Sequence, residues 1–295
     1  MSLQTDTFLD YLRYERGYSE ETVKSYRNDL AEFERFCMER DGSFVATATD
    51  AETVREWMVV LMEDGYASSS VNRKLSCLRS FYRFLLKRGD VQADPLRKVS
   101  GPKRKKPLPV FLKEGEMDTL LDNVPFDDGF RGCRDRLIIA LFYETGMRLA
   151  ELVGLNDADV DFAASQVKVT GKRNKQRLIP FGEPLAGAMK EYLDVRDRVV
   201  PGRPEAFFVR ETGERVTRGI VAYAVKRNLS KVVTVKKRSP HVLRHTFATV
   251  MLNHEAELGA IKELLGHESL TTTEVYTHTT FAELKKVYNQ AHPRA

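Results

Sequence analysis

Between residues 100 and 109 the chain reads Ser-Gly-Pro-Lys-Arg-Lys-Lys-Pro-Leu-Pro. A Gly-Pro step, two further prolines and four consecutive basic residues leave too few backbone donors and too little apolar surface for a packed element. The stretch therefore divides the chain. For 295 residues two cores are expected in any case, because a single core stops growing near this length. We expect one domain over residues 1–98, a linker over 99–110 and a second domain over 111–295. Lys103, Arg104, Lys105 and Lys106 give that linker the charge to lie across a phosphate backbone.

Composition adds limits. Lys and Arg outnumber Asp and Glu by 47 to 42, so the chain is basic without being a polycationic tail. Where the charges cluster matters more than their sum. Cys37, Cys77 and Cys133 are far apart, odd in number and form no Cys-x-x-Cys pair, which argues against both a disulfide framework and a zinc site. Asp6 and Asp10 interrupt the apolar residues of the N-terminus, unlike a signal peptide, and no apolar run approaches membrane length. The expectation is a cytoplasmic protein with no membrane insertion.

Helical spacing dominates the first hundred residues. Phe8, Leu9 and Leu12 mark a helix over Thr5 to Arg16; Ser19 opens a second, with Val23, Tyr26, Leu30, Phe33 and Cys37 on one face. Thr49, with Glu52 three residues on, reads as a capping box that starts a third. The fourth, Ser68 to Gly89, carries the most information. Val71, Leu75, Leu78, Tyr82 and Leu85 share one face, while Asn72, Ser76, Arg79, Arg83 and Lys87 share another, with no acidic residue from Ser68 to Lys87. Solvated helix faces usually mix both signs. A single-sign stripe with Asn and Ser suits the width and chemistry of a DNA major groove, and Lys24 and Arg27 on the second helix are weaker companions.

Beyond the linker, Phe130 to Tyr143 is an apolar helix that breaks at Thr145-Gly146, and Arg148 at once opens another. Val160 to Phe162, Gln166 to Thr170 and Arg177 to Phe181 read as short antiparallel strands, with Lys172 at a hairpin tip. Pro184 to Arg198 and Thr217 to Leu229 return to helix, Pro240 opens the helix bearing His241 and Arg244, and Gly266 ends a further one just before His267. The fold class is thus mainly α (α+β): an N-terminal four-helix domain and a C-terminal mixed α/β domain with a small antiparallel sheet.

The stretch from His241 to Tyr276 gathers His241, Arg244, His267 and Tyr276, each suited to a different task in attack on a phosphate diester. A phenol can act as nucleophile, and cationic donors can hold charge growing on phosphoryl oxygens. Singly each residue has a bland alternative: Tyr276 a half-buried side chain, Arg148 an ion-pair partner of Glu151, Lys172 an exposed turn lysine, and His241 and His267 satisfied core residues. A metal site lacks a third ligand at nearby spacing, so none is expected.

Together these residues form a pattern. Thr145-Gly-Met-Arg148-Leu-Ala-Glu151-Leu, Gly171-Lys172, His241-x-x-Arg244-His-Thr-Phe-Ala, Leu264-Leu-Gly-His267 and Val275-Tyr276-Thr-His278 resemble, in this order and at comparable separations, the motifs of the tyrosine recombinases, nearest to the bacterial Xer subgroup. The likeness spans essentially the whole chain. It implies a SAM-like core DNA-binding domain followed by a catalytic domain that cuts and rejoins DNA through a 3′-phosphotyrosyl intermediate and a Holliday junction, with no ATP and no cofactor. Tyr276 would be the nucleophile, His241 the base or orienting group, Lys172 the general acid, Arg148, Arg244 and His267 the phosphate ligands, and Glu151 a supporting residue. Double-stranded DNA at a specific site would be the substrate, engaged by a homo- or heterotetramer with a second recombinase on two DNA sites, with an FtsK-type DNA translocase as possible activator and chromosome-dimer resolution at a dif-like site as the biology. The rivals are an integrase or transposase of a mobile element, against which the chain shows no extra arm-binding domain, and a non-catalytic architectural protein. Two loop positions depart from the pattern: Arg173 after the lysine, which would pass a left-handed turn residue to Asn174, and Glu255 where a helix-ending glycine is common. The short apolar face of Phe281, Leu284, Val287 and Tyr288 must dock somewhere, on its own domain or, as in relatives, on the next protomer.

Overall fold

A computed structural model describes residues 1–103, 110–171, 174–202, 204–233, 237–266 and 280–295. Arg104, Lys105, Lys106, Lys172, His267 and Tyr276 lie outside the described residues. The chain forms two compact units, Met1–Pro107 and Leu108–Ala295, and among the described residues no helix is long and apolar enough to cross a membrane.

The first unit is helical. Helix α1 (Leu3–Asp10) passes into a π turn at Tyr11–Glu15 rather than running on as α-helix, and α2 (Glu20–Asp41), α3 (Ala51–Glu63) and α4 (Ser68–Arg88) follow. Ser19 caps α2 by accepting the Thr22 N–H. The start of α3 differs from expectation. Asp50, not Thr49, is the cap, because its carboxylate accepts both the amide and the hydroxyl of Thr53, each at 2.8 Å, whereas the Thr49 hydroxyl turns back to the Val45 carbonyl. Phe8, Phe33, Val54 and Trp57 are buried against Val71, Leu75, Leu78, Tyr82 and Leu85 of α4, the face that the spacing predicts.

The opposite face of α4 is only partly free. Ser76, Arg83 and Lys87 are exposed, as are Lys24 and Arg27 of α2 and Lys103. Asn72 instead donates to the Pro102 carbonyl at 2.9 Å and Arg79 to the Val99 carbonyl at 2.8 Å. Val99 is itself buried in this core. The chain thus stays tied to the first unit past residue 99, where the linker is expected to begin.

The second unit is built round α6 (Gly129–Thr145), which is buried nearly all round from Leu137 onward, as an apolar helix without a polar face must be. Before it come the short α5 (Glu114–Asp118) and a π turn; after it come α7 (Leu149–Gly154) and the antiparallel strands β1 (Val160–Asp161), β2 (Gln166–Thr170) and β3 (Gln176–Pro180), in the order β1-β2-β3. Val167 pairs with Ile179 and Val169 with Arg177. Asn174 at the hairpin adopts φ 59°, the left-handed conformation that asparagine tolerates. Helices α8 (Glu183–Val199), α9 (Arg218–Leu229), α10 (Pro240–Asn253), α11 (Leu258–Leu265) and α12 (Phe281–Ala291) complete the unit, with α8, α9 and α10 packed on α6.

Helix α10 ends in a Schellman motif: Ala256 N–H reaches the Met251 carbonyl, Glu255 N–H the Leu252 carbonyl, and Glu255 stands at φ 61°. An L-residue there is strained by about 1 kcal/mol. Glu255→Gly is expected to raise the urea midpoint of this unit by a corresponding amount; an unchanged or lowered midpoint would show the strain to be absent.

The last helix docks on its own unit. Leu284, Tyr288 and Ala291 are buried against β3, α10 and α11, and His292 stacks between Phe247 and Tyr288. His292 Nε2–H donates to the Tyr143 carbonyl while Nδ1 accepts the Arg294 N–H, an arrangement that only the neutral ring provides. Burial, aided by Arg294, accordingly pushes its pKa down to about 4. Below pH 6.5 the unfolded chain takes up a proton that the folded one refuses. The contribution of His292 is therefore complete above pH 6.5 and lost as pH falls towards 4, on the order of 3 kcal/mol in all. Neighbouring Glu144 has the opposite sign: burial raises it to about 8 against the pull of Arg294, so its stabilising share fades as pH rises from 4.5 to 8. Thermal melts at pH 7 and 5 should show His292→Phe to be less destabilised by acid than the parent; equal acid sensitivity would contradict this.

Candidate active site

Gly146 ends α6 at φ 59°, and a Cβ there would come within 2.4 Å of the Phe247 ring. That close approach of α6 to α10 leaves room only for glycine. Met147 is buried, and Arg148 emerges as the residue before α7, with its N–H on Glu151 Oε2 at 2.7 Å and its Nη1 on Glu151 Oε1 at 2.8 Å. The Arg148 side chain keeps 37% of its surface exposed and that of Glu151 keeps 1%. The carboxylate is thus internal scaffolding, while the arginine side chain stays partly exposed.

A second arginine, which the sequence reading passed over, completes the clamp on Glu151. Arg177 of β3 places Nη1 and Nη2 on the two carboxylate oxygens at 2.8 and 2.9 Å. Burial alone would raise the Glu151 pKa; the hydrogen bonds and charge of Arg177, with those of Arg148, outweigh it and hold the group down at about 2. Glu151 is therefore ionised throughout the physiological range. One signal could have found Arg177: in β3 it shares the inward face with buried Ile179, and an arginine on an inward face needs a buried partner.

Arg244 lies in α10. Its Nη1 donates to the Gly146 carbonyl at 2.5 Å and its Nη2 to the Leu265 carbonyl at 2.6 Å. Burial, together with the like charges of Arg148 and Arg177, lowers its pKa to about 10, still cationic at neutral pH. Three guanidiniums against the one carboxylate of Glu151 leave a surplus of two positive charges. Such a site favours an anion. Each guanidinium has five N–H donors, and Arg148 and Arg244 use two each in these contacts, so donors remain for a ligand.

His241 is exposed on the first turn of α10, one turn before Arg244. Lys172 follows Gly171, where an added Cβ would lie 3.5 Å from Glu151 Oε1, and His267 follows Gly266, whose carbonyl accepts from Arg148 Nη2 at 2.6 Å. The described neighbours of both residues thus meet the arginine cluster. Tyr276 falls between Gly266 and Thr280, outside the described residues. Arg148, Glu151, Arg177 and Arg244 are brought together, His241 is exposed three residues before Arg244 on α10, and the DNA-binding candidates of α2 and α4 belong to the other unit. Among the described residues no three His, Cys, Asp or Glu side chains converge as metal ligands.

Comparison with known proteins decides the family. Residues 110–283 match the model of the phage integrase family, and residues 5–89 that of the phage integrase N-terminal SAM-like domain. The chain belongs to the phage integrase family. It is 40% identical over 314 residues to a tyrosine recombinase XerC of Chlorobaculum tepidum, covering 98% of this chain and 94% of that one. It is 41% identical over 295 residues to a tyrosine recombinase XerC of Azotobacter vinelandii, covering 100% and 97%. The fold is also that of the XerH site-specific recombinase bound to palindromic difH substrate in a post-cleavage complex, with a TM-score of 0.73, 22% identity and coverage of 96% of this chain and 83% of that one. As a phage integrase family tyrosine recombinase, the chain is a DNA strand-exchange enzyme, mainly helical with a small antiparallel sheet.

Proposed function

We propose that this recombinase acts at a short, nearly palindromic, dif-like site to resolve chromosome dimers, through a 3′-phosphotyrosyl intermediate and a Holliday junction. The observation that carries the chemistry is the cluster of Arg148, Arg177 and Arg244 round a single ionised carboxylate, with spare donors on the two arginines of the sequence motifs. Arg148 and Arg244 bind the non-bridging oxygens of the scissile phosphate, and the planar fork of each suits that geometry. His267 adds a further donor there.

The Tyr276 oxygen forms a bond to phosphorus as the bond from phosphorus to the 5′-oxygen breaks. A phenol of pKa about 10 needs help to lose its proton, and His241 takes or directs it. Lys172 gives a proton to the departing 5′-oxygen. One phosphodiester replaces another, so no ATP is consumed, and attack by a 5′-hydroxyl of the partner duplex reverses the step. In the N-terminal unit, Lys24, Arg27, Arg83, Lys87 and Lys103 present exposed charge to DNA; Arg104, Lys105 and Lys106 add further charge in the basic run that follows. The working assembly is a tetramer on two sites, with a second recombinase or with further copies of this chain, in the cytoplasm and under the control of a DNA translocase.

The test is covalent trapping. Genomic DNA bound by the protein is mapped, and the protected sequence is offered as a duplex nicked close to the expected cleavage point. A detergent-stable adduct is expected. Binding without any adduct would favour the architectural alternative.

A further inference from the structure

The three guanidiniums do more than surround Glu151. Arg177 Nε donates to the Leu264 carbonyl at 2.7 Å, Arg244 Nη2 to Leu265 at 2.6 Å and Arg148 Nη2 to Gly266 at 2.6 Å. These are three successive carbonyls at the end of α11. The last carbonyls of a helix lack intrahelical partners and carry its partial negative charge. Here each is satisfied by a different arginine, from β3, from α10 and from the start of α7. Gly266 completes the contact: it stands at φ 65°, and an added Cβ would lie 3.0 Å from Arg177 Nη1.

Within this arrangement Arg177 has a distinct position. It is the one of the three outside the motifs quoted above, and its side chain is 15% exposed against 37% for Arg148. Three of its five N–H donors are committed, two to Glu151 and one to Leu264, against two each for Arg148 and Arg244. It therefore suits holding other groups better than holding a ligand.

We propose that Arg177 is a positioning residue for strand cleavage: from β3 it ties Glu151 to the end of α11, and so fixes Arg148 and Arg244 relative to the point at which the chain leaves Gly266. This rests on the recombinase reading above. Without Arg177, Glu151 would be a buried carboxylate with a single cationic partner, its proton affinity would rise, and the Leu264 carbonyl would lose its donor. Arg148 would then be held by a carboxyl that protonates as pH falls.

The test uses the full-length protein and the nicked duplex described above. Arg177→Met is expected to shift the duplex as the parent does and to cleave it roughly 10²-fold more slowly, the loss that a misplacement of about 1 Å produces. The ratio of its cleavage rate to the parent's should also gain an acid limb between pH 7 and 5, and adding Glu151→Gln should remove that limb. A merely structural role would lower the melting temperature without creating the limb. Parental rate and pH profile in Arg177→Met would overturn the proposal. If that variant does not fold, Arg177→Lys decides: it keeps the charge beside Glu151 but cannot reach both carboxylate oxygens and Leu264 at once, so a reduced rate without an acid limb supports the proposal and a parental rate overturns it. Failure of the parent itself to form an adduct would instead remove the recombinase reading, and this inference with it.

Discussion

Replacing Tyr276 by phenylalanine is expected to leave specific DNA binding within about twofold of the parent and to abolish the covalent adduct. The change removes one oxygen, the atom that becomes the bridge to phosphorus, and leaves the ring in place. Two other tyrosines of the same unit do not meet the same conditions. Tyr143 and Tyr288 are buried, and burial raises both phenols above their ordinary range; neither can meet a phosphate without unfolding α6 or α12. Residual cleavage in Tyr276→Phe, measured on the nicked duplex, would move the nucleophile elsewhere.

Arg148→Lys is expected to reduce cleavage by roughly 10²- to 10³-fold, the usual consequence of losing one fixed donor to a developing oxyanion, while binding changes far less. Lysine keeps the charge and loses the fork. Arg148 at present joins the Glu151 carboxylate and the Gly266 carbonyl through separate nitrogens, with donors to spare for a phosphate oxygen. One ammonium cannot span those partners and still face the ligand. A lysine variant that cleaves at the parental rate would show that charge alone, without the planar geometry, meets the requirement. Single-turnover rates at saturating protein separate this effect from binding.

Much of this design is legible in the sequence because its causes are local. The i, i+3, i+4 spacing of Val71, Leu75, Leu78, Tyr82 and Leu85 predicts the buried face of α4, and all five are buried. Thr145-Gly146 predicts the break that sets up Arg148, and the short β-branched runs predict the three strands. The misses have non-local causes. Thr49 and Asp50 can both cap a helix, and only the path of the chain from Val45 decides between them. Asn72 and Arg79 belong to a basic stripe by spacing, yet the returning segment at Val99 and Pro102 claims their donors. Arg177 escapes notice because its partners, Glu151 and Leu264, are 26 and 87 residues away in sequence. Helix periodicity carries no information on such distant carbonyls, whereas the alternation of β3 does place Arg177 inward.

The tail combines both cases. An apolar face on α12 is plain from Leu284 and Tyr288, but its site is fixed by His292 on Tyr143 and by Arg294, which reaches Asp118 and Asp122 at 3.1 and 2.7 Å. In the single chain these contacts close α12 onto its own unit. They involve a titratable ring and a surface-accessible ion-pair set, and surface pairs are individually weak.

The measurement that bears most directly on the central claim is mass spectrometry of the protease-digested adduct formed by the parent enzyme on the nicked duplex. The account predicts a single peptide carrying a nucleotide through Tyr276, with the phosphate belonging to the 3′ end of the cut strand and the complementary fragment bearing a free 5′-hydroxyl. A nucleotide on any other residue, or a linkage to the 5′ end, would contradict it.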